Sequence, residues 1–147
     1  MPRFDRASAE DLVAIRALLE DSGLPTSDLG SAQPVFAVVR EDGRVVAAGA
    51  LQRFGSSALL RSVVVAKAYR GAGLGQAIVS ELERLAQADR VKQLILLTET
   101  AAEFFAHRGY RVIERGAAPD AIQRSEEFRS LCPSSATCMA KSLGDLE

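Results

Sequence analysis

Histidine and cysteine are scarce in this chain, which has one histidine and two cysteines among 147 residues. The histidine, His107, is distant in sequence from Cys132 and Cys138, so the three do not have the spacing of a metal site. Two cysteines also do not amount to a disulfide framework in a chain of this length. The sequence therefore predicts neither a bound metal nor a fold held together by disulfides.

The chain also lacks net charge and long apolar runs. The formal charge of −1 gives no electrostatic basis for binding nucleic acid or an anionic membrane. No stretch approaches ~20 uninterrupted apolar residues, and the first residues lack the apolar run of a signal peptide. Hydrophobic content of 48% and charged content of 25% are typical of globular chains. We therefore expect a cytoplasmic protein that spans no membrane and folds as one domain over residues 1–147.

The chain does have a glycine-rich loop between an apolar strand and a helix. Residues 58–65 are rich in β-branched side chains, and apolar residues recur at helical spacing from 74 to 85. The loop between them is Arg70-Gly71-Ala72-Gly73-Leu74-Gly75. Glycines let backbone N–H groups converge on a small anion, and a helix N-terminus adds partial positive charge. With an arginine as a further phosphate ligand, this pattern predicts a pyrophosphate-binding loop.

Several types of phosphate loop are alternatives. A P-loop requires lysine and then serine or threonine after its last glycine, but Gln76 and Ala77 follow Gly75. A dinucleotide-binding fingerprint requires glycine where Gln76 stands and a strand that runs almost directly into the first glycine. The remaining pattern is arginine-x-x-glycine-x-glycine behind a strand. A simple glycine-rich turn explains less well why strand, arginine, glycines and helix follow in this order.

The remaining pattern resembles the acetyl-CoA-binding motif of the GCN5-related N-acetyltransferase (GNAT) superfamily. Residues 65–75 are similar to the family's Val-x-Pro-x-x-Arg-Gly-x-Gly-x-Gly, with Lys67 in place of the proline. The resemblance covers about residues 35–115 and implies acetyl-CoA as co-substrate. It implies cofactor contacts from Val63, Val64, Val65, Arg70, Gly71, Ala72, Gly73, Leu74, Gly75, Gln76, Thr98 and Phe104.

The order of predicted elements indicates the fold class. A helix begins near Ser8 and ends at Gly23, and residues 24–34 are predicted to be a mobile connector. A hairpin of strands 36–40 and 44–51 turns at Asp42-Gly43, with a predicted bulge at Gly49. Strands are also predicted at 93–98, 110–114 and 137–141, a short helix at 101–107, and a polar helical segment at 118–129.

This order predicts an α/β (α+β) fold with a mixed sheet flanked by helices. The resemblance implies the GNAT form of that fold. In this form the sheet is mostly antiparallel and has a V-shaped split between two central parallel strands. The backbone groups that such a split leaves unpaired on residues 63–65 would pair with the amides of a pantetheine arm.

Residues 98–110 resemble a second segment of the family. Phe105 stands where many members have a tyrosine whose hydroxyl reprotonates the departing thiolate, so this general acid is absent. Arg61 replaces the glutamate that many members carry four residues before the motif valine, which leaves Glu99 as the candidate general base. A backbone N–H near Val64 or Val65 is the candidate for polarising the thioester carbonyl.

Two arginines indicate an acidic acceptor. Arg53 and Arg61 are predicted to hold a substrate carboxylate in fork geometry, and the alternative for each is a solvated surface charge. The acceptor we expect is a small-molecule amine, namely the α-amine of an acidic amino acid or an analogue.

The C-terminal segment resembles a small GNAT subgroup associated with arsenic resistance in bacteria. The resemblance rests on residues 118–122, 127–129 and 131–141. It implies N-acetylation of an amino acid or of an amino-acid-like toxin. A separate hypothesis is that the thiol of Cys132 lines the acceptor pocket, and another is that the two thiols bind trivalent arsenic. The alternative for both cysteines is packing as small apolar side chains.

The sequence thus predicts direct acetyl transfer without a covalent enzyme intermediate. One alternative is a CoA-binding sensor or partner module that has lost catalysis. Another is acetylation of protein lysines or N-termini, which the two arginines disfavour. The resemblance also implies a homodimer, which an exposed terminal strand would support.

Overall fold

The computed structural model describes residues 3–32, 34–131 and 135–143. The helices and strands are β1 (Phe4–Arg6), α1 (Asp11–Asp21), α2 (Leu29–Ala32), β2 (Val35–Glu41), β3 (Arg44–Phe54), β4 (Ser57–Val65), α3 (Leu74–Ala88), β5 (Gln93–Thr98), α4 (Ala102–His107), β6 (Arg111–Val112), α5 (Asp120–Gln123) and β7 (Thr137–Ser142). Short 3₁₀ turns span Lys67–Tyr69 and Arg115–Ala117, and a π-helical turn spans Glu127–Leu131.

The strands form one seven-stranded sheet in the order β1-β2-β3-β4-β5-β7-β6. β2 pairs antiparallel with β1 and β3, and β7 pairs antiparallel with β5 and β6. β4 and β5 are parallel, and their pairing joins Ser57 to Gln93 and Leu59 to Ile95. These pairs lie at the N-terminal ends of both strands. The predicted mixed, mostly antiparallel sheet flanked by helices is confirmed.

The chain divides into two compact units. The first contains the residues up to Gln52 and Leu60–Leu85, and the second contains Arg53–Leu59 and the residues from Ala86 onward. Buried apolar side chains from α1, α2 and β2–β4 form a core in the first unit: Ile15, Leu19, Leu29, Phe36, Val38, Ala48, Ala50 and Val64. The second unit has its own core: Leu59, Ile95, Ala118, Ile122, Phe128, Cys138 and Ala140.

Gly49 has a different role from the one predicted. The predicted bulge is wrong, because Gly49 pairs in register with Ala37 and the register shift lies between Val39 and Arg40. A Cβ at position 49 would lie 2.6 Å from Cγ2 of Ile78 and 2.8 Å from Cδ1 of Leu82. Glycine is needed here because α3, the helix that follows the glycine-rich loop, packs directly on the backbone of β3.

The predicted connector at residues 24–34 is more structured than expected. It contains α2, and both Asp28 and Leu29 are buried. Strand β1 was not predicted. The turn at Asp42-Gly43 is confirmed, with φ of 52° and 77° at its two residues, because both angles are positive as a tight hairpin turn requires.

Candidate functional site

The glycine-rich loop connects β4 to α3 in the first unit. Gly71 and Gly73 adopt φ angles of +85° and +83°, in the left-handed region. A side chain at either position would be strained by that conformation, although the space around both is open. Residues 70–73 are exposed. The loop therefore presents uncovered backbone to the outside, as the predicted phosphate contact requires.

The first turn of α3 adds hydrogen-bond donors to the loop. The helix begins at Leu74, and the N–H of Ala77 donates to the carbonyl of Gly73 at 3.0 Å. The N–H groups of Leu74, Gly75 and Gln76 precede that bond, at positions that have no acceptor within a helix. Together with the helix dipole, these donors make an N-terminus that favours an anion.

Arg70 connects the loop to two other segments. Its Nε donates to the carbonyl of Val65 at 3.0 Å, and its Nη2 donates to Oγ of Ser22 at 3.2 Å. Both contacts are exposed. The guanidinium can therefore leave them for a phosphate at little cost, since solvent replaces the lost hydrogen bonds. Its contact with a pyrophosphate remains a prediction, like the contacts of Ala72 and the other loop residues.

The strand before the loop contains a local irregularity that sequence analysis missed. Ser62 has a φ of +59°, which is uncommon for a residue other than glycine and costs about 1–3 kcal/mol. Val64, two residues later, is buried in the core, while Val63 and Val65 are half-buried. Strain of this kind is concentrated at functional sites. The three valines are the residues predicted to meet the acyl end of the cofactor.

Arg61 is buried in β4 and paired with Asp28. Its two terminal nitrogens donate to the two carboxylate oxygens of Asp28, each at 2.6 Å, in fork geometry. The two side chains are only 0% and 4% exposed. Nη1 of Arg61 also donates to Oε1 of Gln52 at 3.0 Å, and Nε donates to Oγ of Ser62 at 3.3 Å. A substrate carboxylate would reach this guanidinium only by replacing Asp28.

Asp28 is the residue of this arrangement that sequence analysis did not identify. It lies among polar residues and prolines, which favour a solvated segment. The only indication is indirect, because an arginine within an apolar strand needs a buried carboxylate partner. That reasoning predicts a partner, but it does not select one among 19 acidic residues.

The second unit holds Thr98, Glu99 and Phe104 near the C-terminal end of β5 and in α4. Oγ1 of Thr98 accepts a hydrogen bond from the N–H of Ala101 at 3.0 Å, just before α4 begins. Glu99 is exposed, which suits a base that exchanges protons with water. Phe104 is half-buried and meets Phe105 edge to face, with ring centroids 5.1 Å apart. The base role of Glu99 and the cofactor contacts of Thr98 and Phe104 remain predictions.

Phe105 belongs to a cluster of rings and cations. It is 7% exposed, and its ring lies 5.4 Å from that of Tyr110, again edge to face. The guanidinium of Arg108 lies 5.5 Å from the ring centroid of Phe104, and Nζ of Lys141 lies at the same distance from that of Tyr110. This burial fits the interpretation that at least one of the two phenylalanines serves core packing.

Arg53 lies in the second unit and has a different partner from Arg61. Its Nη1 is paired with the carboxylate of Asp89, and its Nε donates to the carbonyl of Gly55 at 2.9 Å. The two side chains are 48% and 67% exposed. The two arginines predicted to form one carboxylate clamp thus contact two different aspartates, and their joint role remains a prediction.

The structure describes Cys138 but not Cys132. Cys132 lies outside the described residues, whereas Cys138 lies in β7 and is 3% exposed. Burial raises the pKa of the Cys138 thiol, against the opposing effect of Arg115. A raised pKa keeps the thiol protonated at neutral pH, which makes it a poor nucleophile. This environment fits the packing alternative for Cys138.

Two classes of site are absent from the described part of the chain. In residues 3–32, 34–131 and 135–143, no three His, Cys, Asp or Glu side chains are grouped so that they could hold a metal ion. None of the helices in these ranges combines the length and apolar character needed to cross a membrane.

Solved structures of other proteins share this fold. The structure of Rv2747 from Mycobacterium tuberculosis in complex with CoA and NLQ is 29% identical in sequence, with a TM-score of 0.81 over 96% of this chain and 99% of that chain. N-acetylglutamate synthase from Neisseria gonorrhoeae, complexed with coenzyme A and N-acetyl-glutamate, has a TM-score of 0.84 at 18% identity over 99% of this chain and 36% of that chain. At that lower identity the likeness concerns the fold alone.

Sequence comparison indicates the same family. The amino-acid acetyltransferase of Pseudomonas fluorescens (strain Pf0-1) is 32% identical over 97 residues, which are 65% of this chain and 21% of that protein. The chain spans about a fifth of the length of the curated relatives it matches. Residues 32–112, more than half of the chain, match the family model described as acetyltransferase (GNAT) domain, and they include the glycine-rich loop and β4. The chain therefore belongs to the GNAT acetyltransferase domain family.

Proposed function

We propose that the protein is an acetyl-CoA-dependent N-acetyltransferase that acts on the α-amine of a small acidic amino acid or an amino-acid-like toxin. The observation that carries the proposal is the exposed loop, in which two left-handed glycines precede the N-terminus of a 15-residue helix. Bare backbone donors at a helix N-terminus suit a pyrophosphate. Similarity over almost the whole of both chains to a CoA complex supports the same ligand for this loop.

The transfer in this proposal is direct. The amine nitrogen attacks the thioester carbon, the C–S bond breaks, and the CoA thiolate leaves. A backbone N–H near Val64 or Val65 stabilises the oxyanion, and Glu99 removes the ammonium proton through water. Because Phe105 has no hydroxyl, solvent protonates the thiolate.

The acceptor class is supported by the likeness to an amino-acid acetyltransferase. In the chain itself, Asp28 already occupies the guanidinium of Arg61 in fork geometry, so the predicted contact of Arg61 with an acidic acceptor would require this buried pair to open. Arg53 and Cys132 are further candidates for acceptor contacts. The toxin and the role in arsenic resistance rest on the resemblance of residues 118–141. The cytoplasmic location and the homodimer likewise remain predictions from the sequence.

The experiment that tests this function measures thiol release from acetyl-CoA over a panel of acceptors. The panel contains glutamate, aspartate, glutamine, lysine, phosphinic and arsenical glutamate analogues, and a peptide with a free N-terminus. Turnover with one acidic acceptor supports the proposal, and turnover with the peptide alone contradicts the acceptor class. If no acceptor in the panel gives thiol release although acetyl-CoA still binds, the CoA-binding sensor module is favoured instead.

A matched pair of glycine variants tests whether the loop binds the cofactor. Gly73→Ala and Gly43→Ala place the same methyl group at left-handed positions with open surroundings, so both should lose about 1–2 kcal/mol of stability. Only Gly73 lies in the glycine-rich loop that is proposed to bind the pyrophosphate. We expect Gly73→Ala to weaken acetyl-CoA binding by about tenfold, or about 1.4 kcal/mol, and Gly43→Ala to leave it unchanged. Equal effects would show that the loop is not the binding site.

A further inference from the structure

The segment between α1 and α2 is attached at two points to residues 61–70, which include four of the predicted cofactor contacts, Val63, Val64, Val65 and Arg70. At one end Asp28 binds Arg61, and at the other Ser22 accepts a hydrogen bond from Arg70. The partners are 33 and 48 residues apart in sequence. Residues 22–28 therefore extend alongside residues 61–70, which contain the end of β4 and the start of the loop. From here on, the word connector means residues 22–28, between α1 and α2, and not the longer range 24–34 predicted from the sequence.

The two attachments differ in kind. The bond between Arg70 and Ser22 is single, neutral at one end and exposed. The pair of Arg61 and Asp28 has two charge-assisted bonds of 2.6 Å and almost no exposed surface. A buried charge that loses its partner is strongly unfavourable, so this pair has one geometry and keeps it. The buried pair is therefore the rigid attachment of the connector.

The guanidinium of Arg61 also contacts the irregular residue of β4. Its Nε lies 3.3 Å from Oγ of Ser62, the residue with a φ of +59°. A left-handed residue within a strand redirects the backbone N–H groups that follow it. Here the following groups belong to Val63, Val64 and Val65. Their direction depends on Ser62, and Ser62 is held by an arginine that Asp28 holds in turn.

We propose that Asp28 and Arg61 form a positioning pair for acetyl transfer, which fixes the connector and the Ser62 conformation so that the backbone N–H groups of residues 63–65 face the acyl group. The proposal rests on the proposed function and assigns the pair a role within it. Neither side chain contacts the reacting atoms. The pair acts through the backbone of β4, so its loss affects the rate of transfer more than the binding of acetyl-CoA, most of whose predicted contacts lie in the loop at residues 70–76.

Two variants separate positioning from simple stability. Asp28→Asn keeps the shape but removes the charge that Arg61 requires. The double variant Asp28→Leu with Arg61→Met replaces the ion pair by apolar side chains of similar volume, an exchange that often preserves stability. Asp11→Asn is the matched control, because Asp11 lies in the same unit and pairs with Arg40 of β2, with further hydrogen bonds from Ser8.

The first measurement compares the effect of each variant on kcat with its effect on the Kd for acetyl-CoA. For both Asp28 variants we expect kcat to fall by about 10- to 100-fold while the Kd for acetyl-CoA changes by less than about threefold. The control should retain the wild-type kcat. A stable double variant with wild-type kcat would show that the pair only stabilises the fold, and would overturn the proposal.

The second readout requires no turnover. Amide ¹H–¹⁵N chemical shifts of residues 62–65 should move in both Asp28 variants and stay in place in the control. If no acceptor is turned over by the wild type, the proposed function fails but these shifts still decide whether the pair positions the strand. Unchanged shifts at residues 62–65 in the double variant would overturn the positioning role, whatever the activity.

Discussion

Arg61 and Arg53 are the two arginines that the sequence presents as equivalent, and the structure places them in opposite environments. Arg61 and its aspartate expose 0% and 4% of their side chains, whereas Arg53 and its aspartate expose 48% and 67%. A third pair, Arg40 with Asp11, lies between them at 29% and 13%. The three pairs contain the same residue types and differ mainly in burial, although Arg61 binds its aspartate through two hydrogen bonds and Arg40 also pairs with Asp5.

This difference shows that the burial of an ion pair determines how strongly its loss affects the stability of the fold. An exposed pair exchanges its hydrogen bonds with water and is screened by salt, so its loss changes little. A buried pair is scarcely more stabilising than apolar residues of the same volume, but breaking one half leaves an uncompensated charge. Burial therefore makes Asp28 and Arg61 dependent on each other in a way that Arg53 and Asp89 are not.

The largest effect is expected for Asp28→Asn. It leaves Arg61 buried without its counter-charge and should lower the free energy of unfolding by about 3–5 kcal/mol. Urea unfolding followed by circular dichroism measures this change. A loss below about 1 kcal/mol would place the pair with exposed ones and would remove the contrast with Arg53.

The second-largest effect is expected for Gly49→Ala. This variant tests whether a change in tight packing, without any charge, gives a comparable loss in the free energy of unfolding. Gly49→Ala places a methyl group within 3 Å of the side chains of Ile78 and Leu82, so these side chains or α3 itself must shift, and we expect a loss of about 1–3 kcal/mol. Gly30→Ala is the matched control, because no atom lies within 4 Å of its added methyl group and alanine is the better helix former in α2. If both variants had the same stability, the close packing of α3 on β3 would be contradicted.

These two predictions also mark what the sequence could and could not reveal. The loop at residues 70–75 and the strand at 93–98 were predicted because their glycines, apolar runs and flanking helix are local patterns. Asp28 and the tight contact at Gly49 were not, because each depends on a partner from a distant segment, and no local pattern marks the left-handed conformation of Ser62. Asp28 is 33 residues from Arg61, and no local propensity reports such a pairing.

A smaller effect is expected at the intermediate pair, and it depends on pH. The N–H of Ser8 donates to the Asp11 carboxylate, and this bond, with Arg40 as a further cause, holds the pKa of Asp11 below its ordinary value of 3.8. A lowered pKa in the folded state contributes stability that is present above the unfolded pKa and is lost as pH falls through the folded value. Asp11→Asn should therefore lose about 1 kcal/mol at pH 7.

That difference should begin to shrink below about pH 4, where the carboxyl of the unfolded wild type becomes protonated, and should be lost as pH falls through the lower pKa of the folded state. Thermal unfolding of both proteins from pH 7 to pH 3 measures it. A difference in Tm that stays constant over this range would show that Asp11 stabilises α1 through its shape and not through its charge.

The smallest effect is expected for Arg53→Ala, and it completes the comparison from the exposed end. Its pair with Asp89 lies in solvent, so the stability should change by about 0–1 kcal/mol, and added salt should reduce that difference further. The same variant also tests the predicted clamp. If Arg53 holds the carboxylate of the acceptor, KM for an acidic acceptor rises while KM for acetyl-CoA and the free energy of unfolding stay near the wild-type values. If KM for both substrates is unchanged, Arg53 is a surface charge. Recognition of an acidic acceptor by an arginine would then depend on displacing Asp28 from Arg61, and the burial of that pair makes this exchange costly.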